Sequence, residues 1–320
     1  MARKTTAALS SKAIMGMIYA AIEGLAKASW VNRIALRNDQ SEQKSEEYPL
    51  LSQTPQFREW IAGRDARRLL VETLVLVNKK YEATVEDFVD NWRFDSSGML
   101  QRRVDGFAAR SETHWAKLIC DLLPLGTSTL TYDGQNFFSA SHSFGDSGTL
   151  SNLLTNSTYS ELDISTPAAP TAVEMANAIN AACNHFFSFK DDQGEPMNED
   201  AEKFLVLCPI NHARSARAAV SKELLASGST SITNPLKDTG FQIDVMPTAR
   251  LTATDRFYVF REDAQIPAVI LQEKQPGLEL TKKAEGSDYE HDKDMWQFGA
   301  KANRAAGLFG WQSAIQVVLN

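Results

Sequence analysis

A chain of 320 residues, 43% hydrophobic and 23% charged, has the balance of a globular protein and the length for one large domain with extensions, or for two. Its net charge of −7 argues against a general nucleic-acid binder, which needs a surplus of lysine and arginine to neutralise phosphates. Three cysteines in apolar contexts (Cys120, Cys183, Cys208) read as small buried hydrophobes rather than a metal set, and no apolar run has the length of a membrane span.

Near the start, Arg3 and Lys4, the apolar run 14–22 and Ala26-Lys27-Ala28 imitate a secretion signal. Yet Ile14, Met17, Ile18, Ala21, Ile22 and Leu25 share one helical face, and Lys12 and Glu23 bracket the run. An amphipathic helix that docks on something, such as another subunit, is the better reading. Residues 31–47 are polar and charged and read as an exposed arm or linker. Pro49 and Pro55 keep the next stretch extended. From Leu70 to Phe88 the pattern is a hairpin: β-formers over 70–77, a turn at Asn78-Lys79, then Tyr81, Ala83 and Val85 alternating with charged and polar residues. Two strands alone lack independent stability, so this hairpin must lie on its own domain or on a neighbour.

The stretch from Asp95 to Pro124 predicts the longest helix. Asp95 and the serines after it can cap its start. Leu100, Val104, Phe107, Trp115, Leu118 and Leu122 make one apolar stripe with a gap at Ser111, and Pro124 with Gly126 ends it. Such a helix is a spine on which other elements hang. Residues 126–160 read as loops and short strands, and 166–170 as a boundary. Thr171 and Glu174 form a capping box for a second helix with Met175, Ile179, Ala182, Cys183 and Phe186 inward. Residues 204–208 predict a buried strand, Asn211 a cap for a third helix reaching Leu225, and 241–246, 256–260 and 268–272 further strands. The span 276–294 reads as a charged loop and 308–319 as a last strand. Helices and strands mix without a steady alternation, so the class is α+β.

Motifs that could carry chemistry have a plainer reading in each case. Gly145-Asp146-Ser147-Gly148 copies the surroundings of a serine-protease nucleophile, but His114 lies in a predicted helix and a polar turn accounts for the motif. His142 with Asp146 does not complete a metal site, and 290–294 reads as a solvated loop. Arg214 and Arg217, three apart, fit a solvated or interfacial helix face. Phosphate-loop, dinucleotide and metalloprotease motifs do not occur; no catalytic residue, metal or cofactor is assigned.

Three landmarks in order resemble one family. Glu47-Tyr48-Pro49 with Pro55-Gln56-Phe57-Arg58-Glu59-Trp60-Ile61 and Gly63-Arg64 is similar to the opening of the major head subunit of Mu-like phages and prophages. The stretch from Asn78 to Glu86 resembles that family's next landmark, and Thr131-Tyr132-Asp133-Gly134-Gln135-Asn136-Phe137-Phe138 with His142 and Ser151-Asn152-Leu153 its third. The resemblance is clearest over 47–154. It implies the tailed-phage major capsid fold of the Hong Kong 97 type: an N-terminal arm (1–46), an extended hairpin loop (47–93), a peripheral domain with the spine helix (94–164), an axial domain (165–275) and a return to the peripheral domain (276–320). It also implies a non-enzymatic subunit that assembles with itself into hexamers and pentamers of an icosahedral head. Scaffold, protease and portal proteins would take part, with assembly in the host cytoplasm and no membrane. The shell would enclose DNA without sequence-specific binding. Expected intersubunit contacts are Arg58, Trp60, Lys79, Lys80, Tyr81, Glu82, Arg214 and Arg217. The competing readings are a hydrolase built on Ser147 and His142, or another phage structural protein of the tail or decoration type.

Overall fold

The computed structural model describes residues 10–26, 29–51, 71–94, 99–143, 145–227, 230–275 and 277–320. The expectations placed on Arg58, Trp60, Asp95 and the Leu25 side chain lie outside the described residues. Among the described residues helices mix with two five-stranded sheets and three two-stranded ribbons, in keeping with the α+β class.

One sheet is organised by a 14-residue strand, Met295–Leu308. Lys79–Phe88 runs antiparallel along residues 295–304 on one edge. The other edge is shared: Val269–Lys274 pairs with 304–308 and Glu279–Lys283 with 297–301. Ala35–Ser41 then adds in parallel outside Val269–Lys274. Along the long strand Trp296, Phe298, Ala300 and Ala302 are buried at every second position, the period of a strand with one covered face. The sequence reading passed over this strand because Gly299, Ala300, Ala302, Ala305, Ala306 and Gly307 dilute its apolar signal, and it took 276–294 as a loop where Glu279–Lys283 and the short helix Asp288–Lys293 stand.

The second sheet has the order Gln242–Thr248, Lys203–Pro209, Arg256–Arg261, Ala314–Val318, Leu153–Leu154. Residues 204–208 are wholly buried, which is why they read as an unbroken apolar run. The first two strands are parallel and are joined through the helix Ala213–Ser221, a crossover that parallel pairing requires. The helix Ala172–His185 begins with the expected capping box, both of whose reciprocal hydrogen bonds between Thr171 and Glu174 form. The third helix stops at Ser221 rather than Leu225. Leu224–Ser227 pairs instead with Thr230–Thr233 as a small ribbon, and a short turn of helix at Ile210–His212 takes the place of an Asn211 cap. The final strand, Ala314–Val318, lies inside this sheet, so residues 276–320 divide between the two sheets.

The spine helix spans Met99–Leu122, 24 residues or about 36 Å at 1.5 Å per residue. A tighter helical turn, Leu123–Thr127, holds Pro124 and ends it. Its two halves enter different cores. Leu100 and Val104 pack with Ile14, Ile18, Trp92, Trp296 and Phe298, whereas Trp115, Ile119 and Cys120 join the large core under the second sheet. The gap at Ser111 falls between them. Its carbonyl accepts a hydrogen bond from Arg304 (2.9 Å), whose guanidinium lies over Trp115 and pairs with buried Glu273 at 2.7 Å.

Two expectations about the N-terminal third change. The helix Ser11–Ala26 is real, but it docks on this chain's own spine, with Ile14 and Ile18 fully buried and Ser11 held by Glu285 and Lys282. Residues 31–41 are no loose arm: Val31 and Ile34 enter the large core and 35–41 form a sheet edge. An edge strand is held by backbone hydrogen bonds and keeps polar side chains outward, so its composition imitates a linker.

Candidate intersubunit surfaces

The stretch read as one hairpin serves two sheets. Val71–Val77 pairs antiparallel with Ser45–Leu51, while Lys79–Phe88 pairs with the long strand. Asn78 is therefore a joint and not a turn. Its amide donates to the Lys44 carbonyl (2.9 Å), and its side chain reaches the Gln43 carbonyl (3.3 Å). Charged residues alternating with Tyr81, Ala83 and Val85 gave the right strand but left its partner unreadable, since alternation reports a covered face and not what covers it.

Alternation sorts the hairpin into two faces. Leu74 and Leu76 turn inward with Tyr48 onto Ile270, Ala305 and Phe309. A side chain at Gly307 would collide with Leu76, so the close approach depends on that glycine. The Tyr48 hydroxyl donates to Gln272 and accepts from Asn38, each at 2.9 Å. Burial is the main cause that raises its pKa. Val75 and Val77 face the other way and remain 51% and 52% exposed. Beside them a groove of about 260 Å³ lies between the hairpin base and the end of the spine, lined by Val77, Lys79, Tyr81, Leu118, Leu122 and Leu125 among others.

Lys79, Lys80 and Glu82 keep exposed side chains while their backbones pair with Arg304, Asn303 and Lys301. Tyr81 is half-buried and meets the His114 ring edge-on at 4.3 Å between centroids. Burial, followed by the charges of Arg304, Lys117 and Arg250, pushes the pKa of His114 down to about 4. Arg214 and Arg217 are both exposed on the helix Ala213–Ser221, remote in sequence from the hairpin. Sequence reasoning missed Val75, Val77, Phe88, Phe94 and Leu125, all large, apolar and exposed. The parity of the strand, with Leu74 and Leu76 assigned inward, was the signal that could have found the first two.

The rival chemistry does not assemble. His142 is fully buried and stacked on Trp311 at 4.0 Å between ring centroids. Its Nδ1 meets Asp133 Oδ2 at 2.5 Å and its Nε2 meets Asn152 Oδ1 at 3.1 Å, so both ring nitrogens are engaged. Asn152 is oriented by donating to the Phe137, Trp311 and Ala314 carbonyls. The Ser147 hydroxyl donates to the Gly148 carbonyl (3.0 Å). A serine nucleophile needs a base within hydrogen-bond reach, and His142 is committed elsewhere. The GDSG turn has a structural cause: Gly145 adopts φ +54° against Asp192, whose carbonyl accepts from the Asp146 amide (2.8 Å). Glu290 ties the helix Asp288–Lys293 to Arg93 and to the Gly286 amide. Among the described residues no group of three or more His, Cys, Asp or Glu is arranged to hold a metal, and no helix is long and apolar enough to cross a membrane. Burial pushes the Cys120 and Cys208 thiols up to about 11 and about 12, and raises that of Cys183 as well, so none is primed as a nucleophile.

This architecture is that of phage capsid proteins of the Hong Kong 97 type. Against a procapsid chain of bacteriophage JBD30 the TM-score is 0.53 at 16% identity, covering 98% of this chain and 77% of that one. Against a capsid chain of cyanophage P-SCSP1u it is 0.52 at 13% identity, covering 89% and 86%. A virus-like particle from Pyrococcus furiosus shares the fold at a TM-score of 0.51 and 9% identity, covering 96% and 98%.

Residues 13–171 match the family described as Mu-like prophage major head subunit gpT. The major capsid protein of Escherichia phage Mu is 29% identical over 114 residues, 36% of this chain; the match spans 37%, little more than a third, of that relative's length.

Proposed function

We propose that this chain is the repeating major subunit of a phage head, joining copies of itself into hexamers and pentamers of a closed icosahedral shell. The observation that carries the reading is the family match over 13–171 on a capsid-type fold. The hairpin supports it, since Val75 and Val77 lie outside the chain's own core. Shells are closed by many copies meeting through heterologous contacts, and reach-over segments supply buried area while the rigid parts stay constant. In this reading the reaching segment is 45–77. The axial unit is 165–261 together with 314–318, and the remainder with the spine forms the peripheral unit. Lys79, Lys80, Tyr81 and Glu82, at the root of the hairpin, contact a neighbour, as do Arg58, Trp60, Arg214 and Arg217.

The subunit is structural and needs no cofactor. It assembles in the host cytoplasm with scaffold, protease and portal proteins, ends in the virion, and encloses DNA without reading its sequence. A net charge of −7 lets packaged DNA lie close without sticking; tight, salt-sensitive binding of duplex DNA by the purified subunit would contradict that point. The direct test is electron microscopy of the expressed protein, where closed or open shells are expected and monomers at high concentration with assembly helpers present would refute the proposal. Replacing residues 46–76 by a short glycine bridge should leave circular dichroism close to that of the parent and abolish shells.

A further inference from the structure

The spine helix separates two exposed apolar features. At its C-terminal end lies the groove of about 260 Å³, with Leu125 at its rim 53% exposed and exposed Lys79 among its lining. Before its N-terminal end, Phe88 and Phe94 flank the short helix Val89–Arg93 and are 51% and 60% exposed, with the carboxylates of Glu86 and Asp90 exposed beside them. The faces behind both features are already committed: Val89 and Trp92 to the core around Trp296, and Leu76 to the core around Phe309.

From this arrangement we infer that the Phe88–Phe94 knob of one copy seats in the Val77–Leu122–Leu125 groove of the next. The occupant is a second copy of this chain, because the two features are complementary within one molecule: rings against a cleft, and the exposed acids Glu86 and Asp90 against Lys79. The two lie at opposite ends of a helix about 36 Å long, so one copy cannot satisfy both itself. The contact is heterologous, and a head-to-tail contact of this kind closes into a ring or extends as a lattice. It assigns a partner surface to Lys79, and it rests on the capsid reading above.

The test is disulfide trapping in assembled material. Phe94→Cys combined with Leu125→Cys should give a ladder of crosslinked oligomers on mild oxidation, and neither single variant should. The three native cysteines are buried and do not compete. Asp90→Lys should lower the assembled fraction several-fold, and adding Lys79→Glu should restore it to within about twofold of the parent, since the opposed charges are exchanged. Shells without a ladder, or a double charge variant no better than the single one, would overturn this contact and leave the capsid reading standing. A parent protein that forms no assembly under any condition would overturn both.

Discussion

The second sheet and the hairpin are both built from strands, yet they close their surfaces in opposite ways. In the sheet, residues 204–208 of one strand and 257–260 of its neighbour are buried on both faces by the chain itself. Among the described side chains of Val71–Val77, Leu74 and Leu76 find cover, and Val75 and Val77 do not. The first region is complete within one chain. In the second, Val75 and Val77 are left uncovered by the single chain, as an apolar face that takes part in an interaction would be.

Breaking the complete region should cost most. Phe260→Ala empties a fully buried ring site in the second sheet and should lower stability by about 3–5 kcal/mol in denaturant unfolding. Gly307→Val tests the seam between the regions. The added carbons collide with Leu76, so a loss of about 1–3 kcal/mol is expected, with faster amide exchange over residues 71–77 than in the second sheet. Equal exchange in both would mean that the hairpin base is not seated through this glycine. Thr171→Ala removes one arm of the capping box and should cost about 1 kcal/mol, confined to the complete region.

The smallest effect is a slope. The pKa of His114 is lowered from 6.5 to about 4 by burial and nearby cations. The unfolded chain therefore takes up a proton between those values while the folded chain does not. Stability should fall as the pH drops from about 6.5 towards 4, and His114→Gln should flatten that part of the profile. A variant that tracks the parent over this range would remove His114 from the account.

The same contrast explains what could be read from the sequence. The capping box at Thr171, the strand at 204–208 and the spine stripe were legible because local chemistry or burial on every side decides them. The hairpin's pairing was not, because Asn78-Lys79 looks like a turn and nothing in residues 71–77 names Ser45–Leu51 as partner. The strand Met295–Leu308 escaped because small residues interrupt its apolar pattern, and the close approach of Thr281 and Thr84 to Gly299 and of Leu76 to Gly307 is visible only in the fold. The likeness to head subunits was legible through landmarks between 47 and 154, all of which fall within the matched 13–171. The surfaces around Phe94 and Leu125 had no comparable signature, since an exposed apolar residue carries no mark of its purpose in sequence.

The joint at Asn78 has a mechanical consequence. Residues 71–77 and 79–88 are one covalent run, so a pull on the hairpin is delivered straight into the ten residue pairs that Lys79–Phe88 makes with the long strand. Those hydrogen bonds lie across the strand direction. Tension along the strand must shear them together instead of peeling them one by one. The hairpin is thereby tied to a ten-pair seam, and force on it is shared across the sheet and not spent at the hinge.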